Sequence, residues 1–212
     1  ISDGTSTVAD AGTITVTAVN DAPDTLADSA GTNEDSAVAI LASALLSNDS
    51  DVEGDTLTLT GVSNAVNGGV ALDGNGDAVF TPDADFNGSA TFDYTVSDGN
   101  GGTATQTVAV TVAAVNDVPV AISDSVSTSE DTAVTVLAST LLANDSDIDG
   151  DTLSISSVSN AVNGAVALDG NGDVVFTPAA DFNGAATFDY TASDGNGGTA
   201  TQTVSVDVTA VN

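Results

Sequence analysis

The chain has 212 residues and no lysine, arginine or histidine, so its 31 acidic residues give a formal charge of −31. Such a charge excludes nucleic acids and anionic membranes as direct partners, because no cationic side chain could contact their phosphates. The lack of cysteine excludes disulfides and thiolate metal sites, and the lack of histidine argues against zinc and copper sites as well.

No apolar run approaches the roughly 20 residues that a membrane helix needs, so direct membrane insertion is not expected. Because the sequence shows neither an initiating methionine nor a signal peptide, we expect it to be a piece of a longer or processed protein.

Two tandem copies of one unit make up most of the chain. Residues 21–116 align with residues 117–212 without a gap, and 69 of the 96 positions are identical. Residues 1–20 resemble the end of a third copy. The sequence therefore predicts the C-terminal strand of a preceding repeat at 1–20, repeat 1 at 21–116 and repeat 2 at 117–212.

Alternation of apolar and polar residues, with turn residues about every ten positions, predicts seven strands in each repeat. In repeat 1 these are A at 25–32, B at 37–41, C at 56–63, D at 69–72, E at 78–81, F at 90–97 and G at 103–113, with a helical turn at 42–46. This pattern predicts an all-β fold of two tandem immunoglobulin-like sandwiches. Tyr94 and Tyr190 lie where such a sandwich carries its tyrosine corner.

An acidic loop follows strand B in each repeat, at 48–55 and 144–151. Each loop places four carboxylates at alternate positions: Asp49, Asp51, Glu53 and Asp55 in the first, and Asp145, Asp147, Asp149 and Asp151 in the second. Carboxylates this close repel one another unless an external cation joins them, and Ca²⁺ prefers such oxygen ligands. The alternative is a solvated acidic turn. An EF-hand is excluded, because Ser156 occupies the position where its bidentate Glu is required.

Strand order predicts which loops share one end of a sandwich. The acidic loop and the F–G turn (98–102 and 194–198) lie where the chain enters a repeat; the A–B turn (33–37) and the E–F loop (83–87) lie where it leaves. We therefore expect acids and one asparagine from several segments to converge on a Ca²⁺ site at the junction of the two repeats: Glu34, Asp85, Asn116, Asp117, Asp145, Asp147, Asp149, Asp151 and Asp194. The equivalent residues at the outer ends are Asn20, Asp21, Asp49, Asp51, Glu53, Asp55, Asp98, Glu130 and Asp181.

These motifs resemble the cadherin family and, more closely, the bacterial cadherin-like tandem repeats of large surface adhesins. The resemblance covers almost the whole chain. It implies Ca²⁺ bound between successive sandwiches of one polypeptide, stiffening an extracellular rod for cell adhesion or biofilm formation. Ala114 and Val118 replace acidic and amide linker residues of vertebrate-type cadherins, so we expect one or two ions per junction. Asp83 becomes Ala179 in repeat 2 whereas Asp85 persists as Asp181, which favours Asp85 as the ligand of the E–F loop.

Other interpretations remain open from the sequence. The surplus strand at 1–20 also fits a subunit of a self-assembling extracellular filament or surface layer, in which identical chains associate. Enzymatic activity is not expected, because the chain lacks His, Cys and Lys and its acids lie in short turns. The D–E turn, with Asp73, Asn75 and Asp77 and their copies Asp169, Asn171 and Asp173, predicts a plain hairpin turn or a further ion site.

Overall fold

The computed structural model of the chain describes residues 19–212. The chain divides into two units with the boundary between Ala114 and Val115, and the predicted boundary lies two residues later. The predicted strand of a preceding repeat, at 1–20, falls almost wholly outside the described residues.

Each unit contains seven strands and one short helix, in the predicted order. Unit 1 comprises β1 (Asp28–Asn33), β2 (Val38–Ile40), α1 (Ala42–Leu45), β3 (Thr58–Val66), β4 (Gly68–Leu72), β5 (Ala78–Pro82), β6 (Gly88–Ser97) and β7 (Thr103–Ala113). Unit 2 comprises β8 (Asp124–Ser129), β9 (Val134–Val136), α2 (Ala138–Leu141), β10 (Ser154–Val162), β11 (Gly164–Leu168), β12 (Val174–Pro178), β13 (Gly184–Ser193) and β14 (Thr199–Thr209). No helix in residues 19–212 is long and apolar enough to cross a membrane.

The strands of each unit form a four-stranded and a three-stranded sheet. In unit 1 the orders are β1-β7-β6-β3 and β2-β5-β4, and in unit 2 they are β8-β14-β13-β10 and β9-β12-β11. The pairings are antiparallel except that β1 runs parallel to β7, and β8 runs parallel to β14. The prediction of an all-β fold with two tandem sandwiches is confirmed.

The core of each unit is built by alternate residues of the strands. Along β6, Ala90, Phe92, Tyr94 and Val96 are buried, whereas the residues between them face the solvent side of the sheet. Phe92 stacks on Phe80 of the opposite sheet with ring centroids 5.9 Å apart, and the equivalent rings of unit 2 are 5.7 Å apart. Few other large side chains are fully buried, so these rings contribute much of the packing.

Strand β3 extends to Val66, beyond the predicted end at residue 63. Its pairing with β6 shifts register between Ser63 and Val66, and Asn64 adopts a positive φ of 52° within this bulge. Asn64 is tolerated there because asparagine adopts the left-handed conformation more readily than most residues. Its Nδ2 donates to Asp93 on β6 at 2.9 Å, which fixes the bulge.

Hydrogen bonds within unit 1 place the loops at opposite ends, as strand order predicted. Asn100 of the F–G turn donates to Asp55 of the acidic loop at 2.7 Å. At the other end, Asp85 of the E–F loop donates its N–H to Asp35 of the A–B turn at 3.2 Å. Glu34 N–H donates to the carbonyl of Ala113, the last residue of β7.

Candidate metal centre

The acidic loop of each unit is folded around its second aspartate. In unit 2, Oδ1 of Asp147 accepts the N–H of Asp149 at 3.0 Å and that of Asp151 at 3.4 Å. Gly150 lies between them at φ 78°, a conformation that favours glycine. Asp51 makes the same bonds to Glu53 and Asp55 in unit 1. One carboxylate therefore closes the turn that brings its neighbours together.

Three carboxylates of unit 2 converge on one point. One oxygen each of Asp147, Asp149 and Asp151 lies within 4.8 Å of the other two. Oδ2 of Asp147 is buried and has no hydrogen-bond partner among residues 19–212, and the same is true of Oδ2 of Asp51. A buried carboxylate oxygen without a hydrogen-bond donor lowers the stability of the folded protein. A hard cation with oxygen ligands would compensate it, so these residues fit Ca²⁺.

The residues that begin each unit lie against the acidic loop and the F–G turn. Asp117 N–H donates to Oδ2 of Asp149 at 2.8 Å, and Asn116 Nδ2 donates to Oδ2 of Asp194 at 2.8 Å. Unit 1 repeats both contacts, from Asp21 to Glu53 and from Asn20 to Asp98. The structure thus brings the predicted linker residues to the same end of the unit as the three converging carboxylates.

Asp194 is the most heavily hydrogen-bonded of the predicted ligands. Its Oδ1 accepts the N–H groups of Asn196 at 2.7 Å and of Gly197 and Gly198 at 3.0 Å, and Gly198 also donates to Oδ2. The hydrogen bond from Asn116 is the main cause that lowers the pKa of Asp194, and these backbone donors add to it. A Cβ at position 198 would overlap Oδ2, so the turn requires glycine there. Asp98 has a similar environment in unit 1, and its pKa is lowered chiefly by Asn20.

Asp145 and Asp49, the first acids of the two loops, are oriented differently from the others. Oδ1 of Asp145 accepts the N–H of Ile122 at 2.8 Å, and both of its oxygens accept from the Tyr190 hydroxyl, at 3.0 and 2.9 Å. Asp49 makes the same contacts with Leu26 and Tyr94. These two carboxylates are not part of the group formed by Asp147, Asp149 and Asp151.

One further acid lies beside the core tyrosine of each unit, and neither of the two was predicted from the sequence. Asp28 Oδ2 accepts from the Tyr94 hydroxyl at 2.9 Å. Its copy Asp124 has a raised pKa, because burial and then the charge of Asp145 disfavour its ionised form. Burial, followed by bonding to Asp145, raises the pKa of Tyr190. Asp28 and Ser29 recur as Asp124 and Ser125, whereas the other residues of the stretch 24–31 differ from those of 120–127, and this identity is the signal that could have found the two aspartates.

The opposite end of each unit carries a second group of acids. In unit 1 the amide of Asn87 contacts the buried Glu34, and Asp85 contacts Asp35. Unit 2 repeats these contacts between Asn183 and Glu130 at 3.4 Å and between Asp181 and Asp131 at 3.0 Å. Glu34, Asp85, Glu130 and Asp181 are among the ligands predicted from the sequence, whereas Asp35 and Asp131 are not. Four aspartates of these A–B turns and E–F loops have positive φ: Asp35, Asp85, Asp131 and Asp181.

The D–E turn uses its carboxylates internally. Oδ1 of Asp73 accepts the N–H groups of Asn75 at 2.8 Å and Asp77 at 2.9 Å, and the bond from Asp77 is the main cause that lowers the pKa of Asp73. Asp77 in turn accepts the N–H of Ala42 at the start of α1, at 2.8 Å. These contacts favour a hairpin turn over a further ion site.

Comparison with known proteins adds a family assignment. The family described as "Cadherin-like domain" matches residues 19–113 and 115–209. The comparison with curated proteins gave no match.

Among solved structures, Drosophila N-cadherin EC1-4 has a TM-score of 0.51 at 17% identity, covering 90% of this chain and 50% of that one. Human mucin-like protocadherin EC1-2 has a TM-score of 0.48 at 19% identity, covering 89% of this chain and 98% of that one. An endo-fucoidan hydrolase, MfFcnA4, from glycoside hydrolase family 107 has a TM-score of 0.35 at 20% identity, and the chain spans 29% of its length and is itself 91% covered. At these identities the likeness to N-cadherin shows the fold alone.

Proposed function

The chain belongs to the family of cadherin-like domains, and on that premise we propose that it is a calcium-binding rod segment of a larger bacterial surface or secreted protein. In this proposal Ca²⁺ binds where one repeat meets the next and fixes the angle between them. The partners are neighbouring repeats of the same polypeptide. The segment acts outside the cell, in adhesion or biofilm formation, as a structural element and not as an enzyme.

The buried Oδ2 of Asp147 is the observation that carries this proposal. It lies beside Asp149 and Asp151, and no hydrogen-bond donor compensates it within residues 19–212. The chain contains no lysine, arginine or histidine that could neutralise the group. Positive charge must therefore come from the solution, and oxygen ligands select a hard cation over the transition metals.

The position of the acids along the chain supports a site at the junction of two repeats. Glu34 is bonded to the last residue of β7, and Asn116 and Asp117 follow that residue within four positions. Asp117 is in turn bonded to Asp149 of the acidic loop. We propose Asp117, Asp147, Asp149 and Asp151 as the ligands from unit 2, and Glu34 and Asp85 as those from unit 1. Asn116, with Nδ2 bonded to Asp194, has Oδ1 available as a further ligand.

Calcium titration of the whole chain tests this function. Extracellular modules bind Ca²⁺ with dissociation constants on the order of 10⁻⁴–10⁻³ M. At a 100-fold excess over that constant, one site adds roughly 2.7 kcal/mol to the free energy of unfolding. For a domain of this size such a gain raises the melting temperature by on the order of 10 °C. Calorimetric titration should show saturable binding, and scattering should show a narrower distribution of interdomain angles with Ca²⁺ than with chelator.

The matched variants are Asp147→Asn with Asp149→Asn, and Asp207→Asn alone. The amide that replaces the Asp147 carboxylate can still close the loop through its Oδ1, so the first variant should fold but lose most of the response of unit 2 to Ca²⁺. Asp207 is exposed on β14, and its replacement should leave the response intact. A melting temperature that chelator does not change at low salt would end the proposal. Light scattering of the same samples at several concentrations tests the alternative of a self-assembling filament, in which particle size grows with concentration.

A further inference from the structure

The first and last strands of each unit are arranged to resist a pull on the chain ends. In unit 2, β8 pairs in parallel with β14 over six residue pairs, from Asp124–Val204 to Ser129–Thr209. The preceding chain continues from the start of β8, and the following chain continues from the end of β14. A pull on the two ends therefore draws these strands in opposite directions along their length. Their hydrogen bonds lie across that direction and are loaded together.

The segment just before β8 is held by a second set of bonds, which we call the N-terminal clamp. It consists of residues 120–122 and the four side chains or backbone groups that hold them. Val120 and Ser146 exchange two backbone bonds of 2.8 and 3.0 Å. Ile122 N–H donates to Asp145 at 2.8 Å, and its carbonyl accepts from the Tyr190 hydroxyl at 3.2 Å. Gln202 Nε2 donates to the carbonyl of Ala121 at 3.2 Å.

The residues that hold the segment are themselves fixed. The ring of Tyr190 is fully buried, and its hydroxyl also contacts both oxygens of Asp145. Oε1 of Gln202 accepts the N–H of Thr203 at 2.9 Å, which orients the amide toward the segment. The clamp therefore joins the incoming chain to three places at once: the acidic loop, β13 and β14.

Unit 1 contains the same clamp around a different segment. Asp24 pairs with Ser50, Leu26 is held by Asp49 and Tyr94, and Gln106 donates to the carbonyl of Thr25 at 3.2 Å. The holding residues Asp, Ser, Tyr and Gln are identical in both repeats, whereas the held segments are Asp-Thr-Leu and Val-Ala-Ile. The hydrogen bonds that hold the segment use its backbone only, so they are kept although its side chains differ between the repeats.

We propose that the N-terminal clamp is a load-bearing element, which transfers tension from the incoming chain onto the acidic loop, β13 and β14 before it reaches β8. Bonds that are loaded together must break together, so the clamp raises the force at which a unit unfolds. The proposed rod function enters only as the source of the tension, and no cation takes part. The relevant quantity is the rate of unfolding under force.

Single-molecule pulling of the full chain by its ends tests this inference. The two units give two unfolding events. Tyr190→Phe keeps the ring in the core but removes the hydroxyl that joins Ile122 to Asp145. We expect one event to move to lower force, with unfolding at a given force faster by roughly tenfold, as for the loss of a hydrogen bond to a charged group. The other event, from the unchanged unit 1, serves as the internal reference.

Thr203→Val is the matched control. It removes the bond of 2.7 Å from the Thr203 hydroxyl to Asp189 on β13, and it keeps the backbone N–H of Thr203 that orients Gln202. When the two variants are compared at an equal loss of stability in urea, Thr203→Val should lower the unfolding force much less than Tyr190→Phe. If both variants lower the force equally, or if Tyr190→Phe leaves it unchanged, the inference is wrong. If Tyr190→Phe does not fold, Gln202→Leu replaces it, and it too should lower the unfolding force of unit 2.

Moving the point of attachment separates a mechanical role from a general stabilising one. The chain has no cysteine, so Ser125→Cys at the exposed start of β8 gives a unique handle. Pulling from this handle to the C-terminus leaves the clamp outside the path of the force, and the effect of Tyr190→Phe should disappear. An effect that persists there contradicts the inference. Repeating the series in chelator distinguishes it from the calcium proposal, because the clamp should act equally with and without Ca²⁺.

Discussion

Asp189 on β13 illustrates how this chain stabilises a carboxylate without any basic side chain. Its Oδ1 accepts from the Thr203 hydroxyl at 2.7 Å and its Oδ2 from Asn160 Nδ2 at 2.8 Å. The bond from Thr203, followed by that from Asn160, lowers the pKa of Asp189. Asp93 has the same two partners in unit 1, Thr107 and Asn64. Hydroxyl and amide donors thus replace the ion pairs of ordinary protein surfaces.

This arrangement predicts how the stability of unit 2 depends on pH. Since the folded pKa of Asp189 lies below the ordinary value of 3.8, its contribution is present above that value and is lost as the pH falls through the folded pKa. Thr203→Val should therefore destabilise the unit at about pH 6, and the difference from the wild type should shrink toward about pH 2.5. Urea unfolding at both pH values measures this.

Thr201→Val provides the control for that experiment. Within the described part of the chain, residues 19–212, the Thr201 hydroxyl bonds to that of Thr191 at 2.9 Å and to no carboxylate, so the effect of Thr201→Val on stability should not depend on pH. A difference between Thr203→Val and the wild type that stays constant from neutral to acidic pH would contradict the assigned role of Thr203.

At the scale of single residues, the sequence predicted what is local and missed what is distant. The alternation of Asp147, Asp149 and Asp151 within one loop was enough to propose that they share a site. The orientation of Asp145 depends on Tyr190, which lies 45 positions away, and that of Asp28 depends on Tyr94, 66 positions away. Spacing along the chain carries no information about such contacts.

At the scale of the element, β4 shows how closely it packs against β5, its neighbour in the three-stranded sheet. A Cβ at Gly68 would overlap the ring of Phe80 and the carbonyl of Thr81. Phe80 is fully buried and stacks on Phe92, so the ring has no free space to move into. The next residue, Gly69, has nothing within 4 Å of the same position. Two adjacent glycines in one strand therefore differ in their tolerance of a side chain.

Gly68→Ala and Gly69→Ala form a matched pair. The first should lower the free energy of unfolding of unit 1 by about 1–3 kcal/mol, the usual cost of overpacking a core. The second should change it by less than about 0.5 kcal/mol, as for surface substitutions. Repeat 2 already carries Ala165 at the position of Gly69. Urea unfolding of both variants measures the difference, and equal effects would show that the close contact with Phe80 is not limiting.

The positions of the strands followed from the sequence, but their arrangement in sheets did not. Alternating burial and turn residues are local, so the predicted strands agree with the structure to within a few residues. Alternation shows which face of a strand is buried without showing which strand is its neighbour. The parallel pairing of β1 with β7 joins elements at opposite ends of the repeat, and no local pattern predicted it.

At the scale of the whole molecule, the charge of −31 is balanced by no side chain. Repulsion between carboxylates destabilises the folded units, and monovalent salt screens it, with a Debye length of about 10 Å at 0.1 M and 3 Å at 1 M. We expect the melting temperature in chelator to rise with sodium chloride, and to rise less when Ca²⁺ already neutralises the acidic loops. Calorimetry at several salt concentrations, with and without Ca²⁺, measures the slope of the melting temperature against salt in each condition. Equal slopes would show that bound Ca²⁺ does not relieve the repulsion.

The parallel pairing of the first and last strands also bears on how such repeats are synthesised. About 70 residues separate the end of β1 from the start of β7. A ribosome that adds roughly 5–20 residues per second needs about 4–14 s to cover that distance. Throughout that interval β1 lacks its parallel partner strand. Once β6 has been made, it has one open edge until β7 follows, and a near-identical strand of another repeat would fit that edge. Synthesis from the N-terminus limits such exchange, because each repeat closes before the last strand of the next one exists. Refolding from denaturant, in which β7 and β14 are present together, loses this protection.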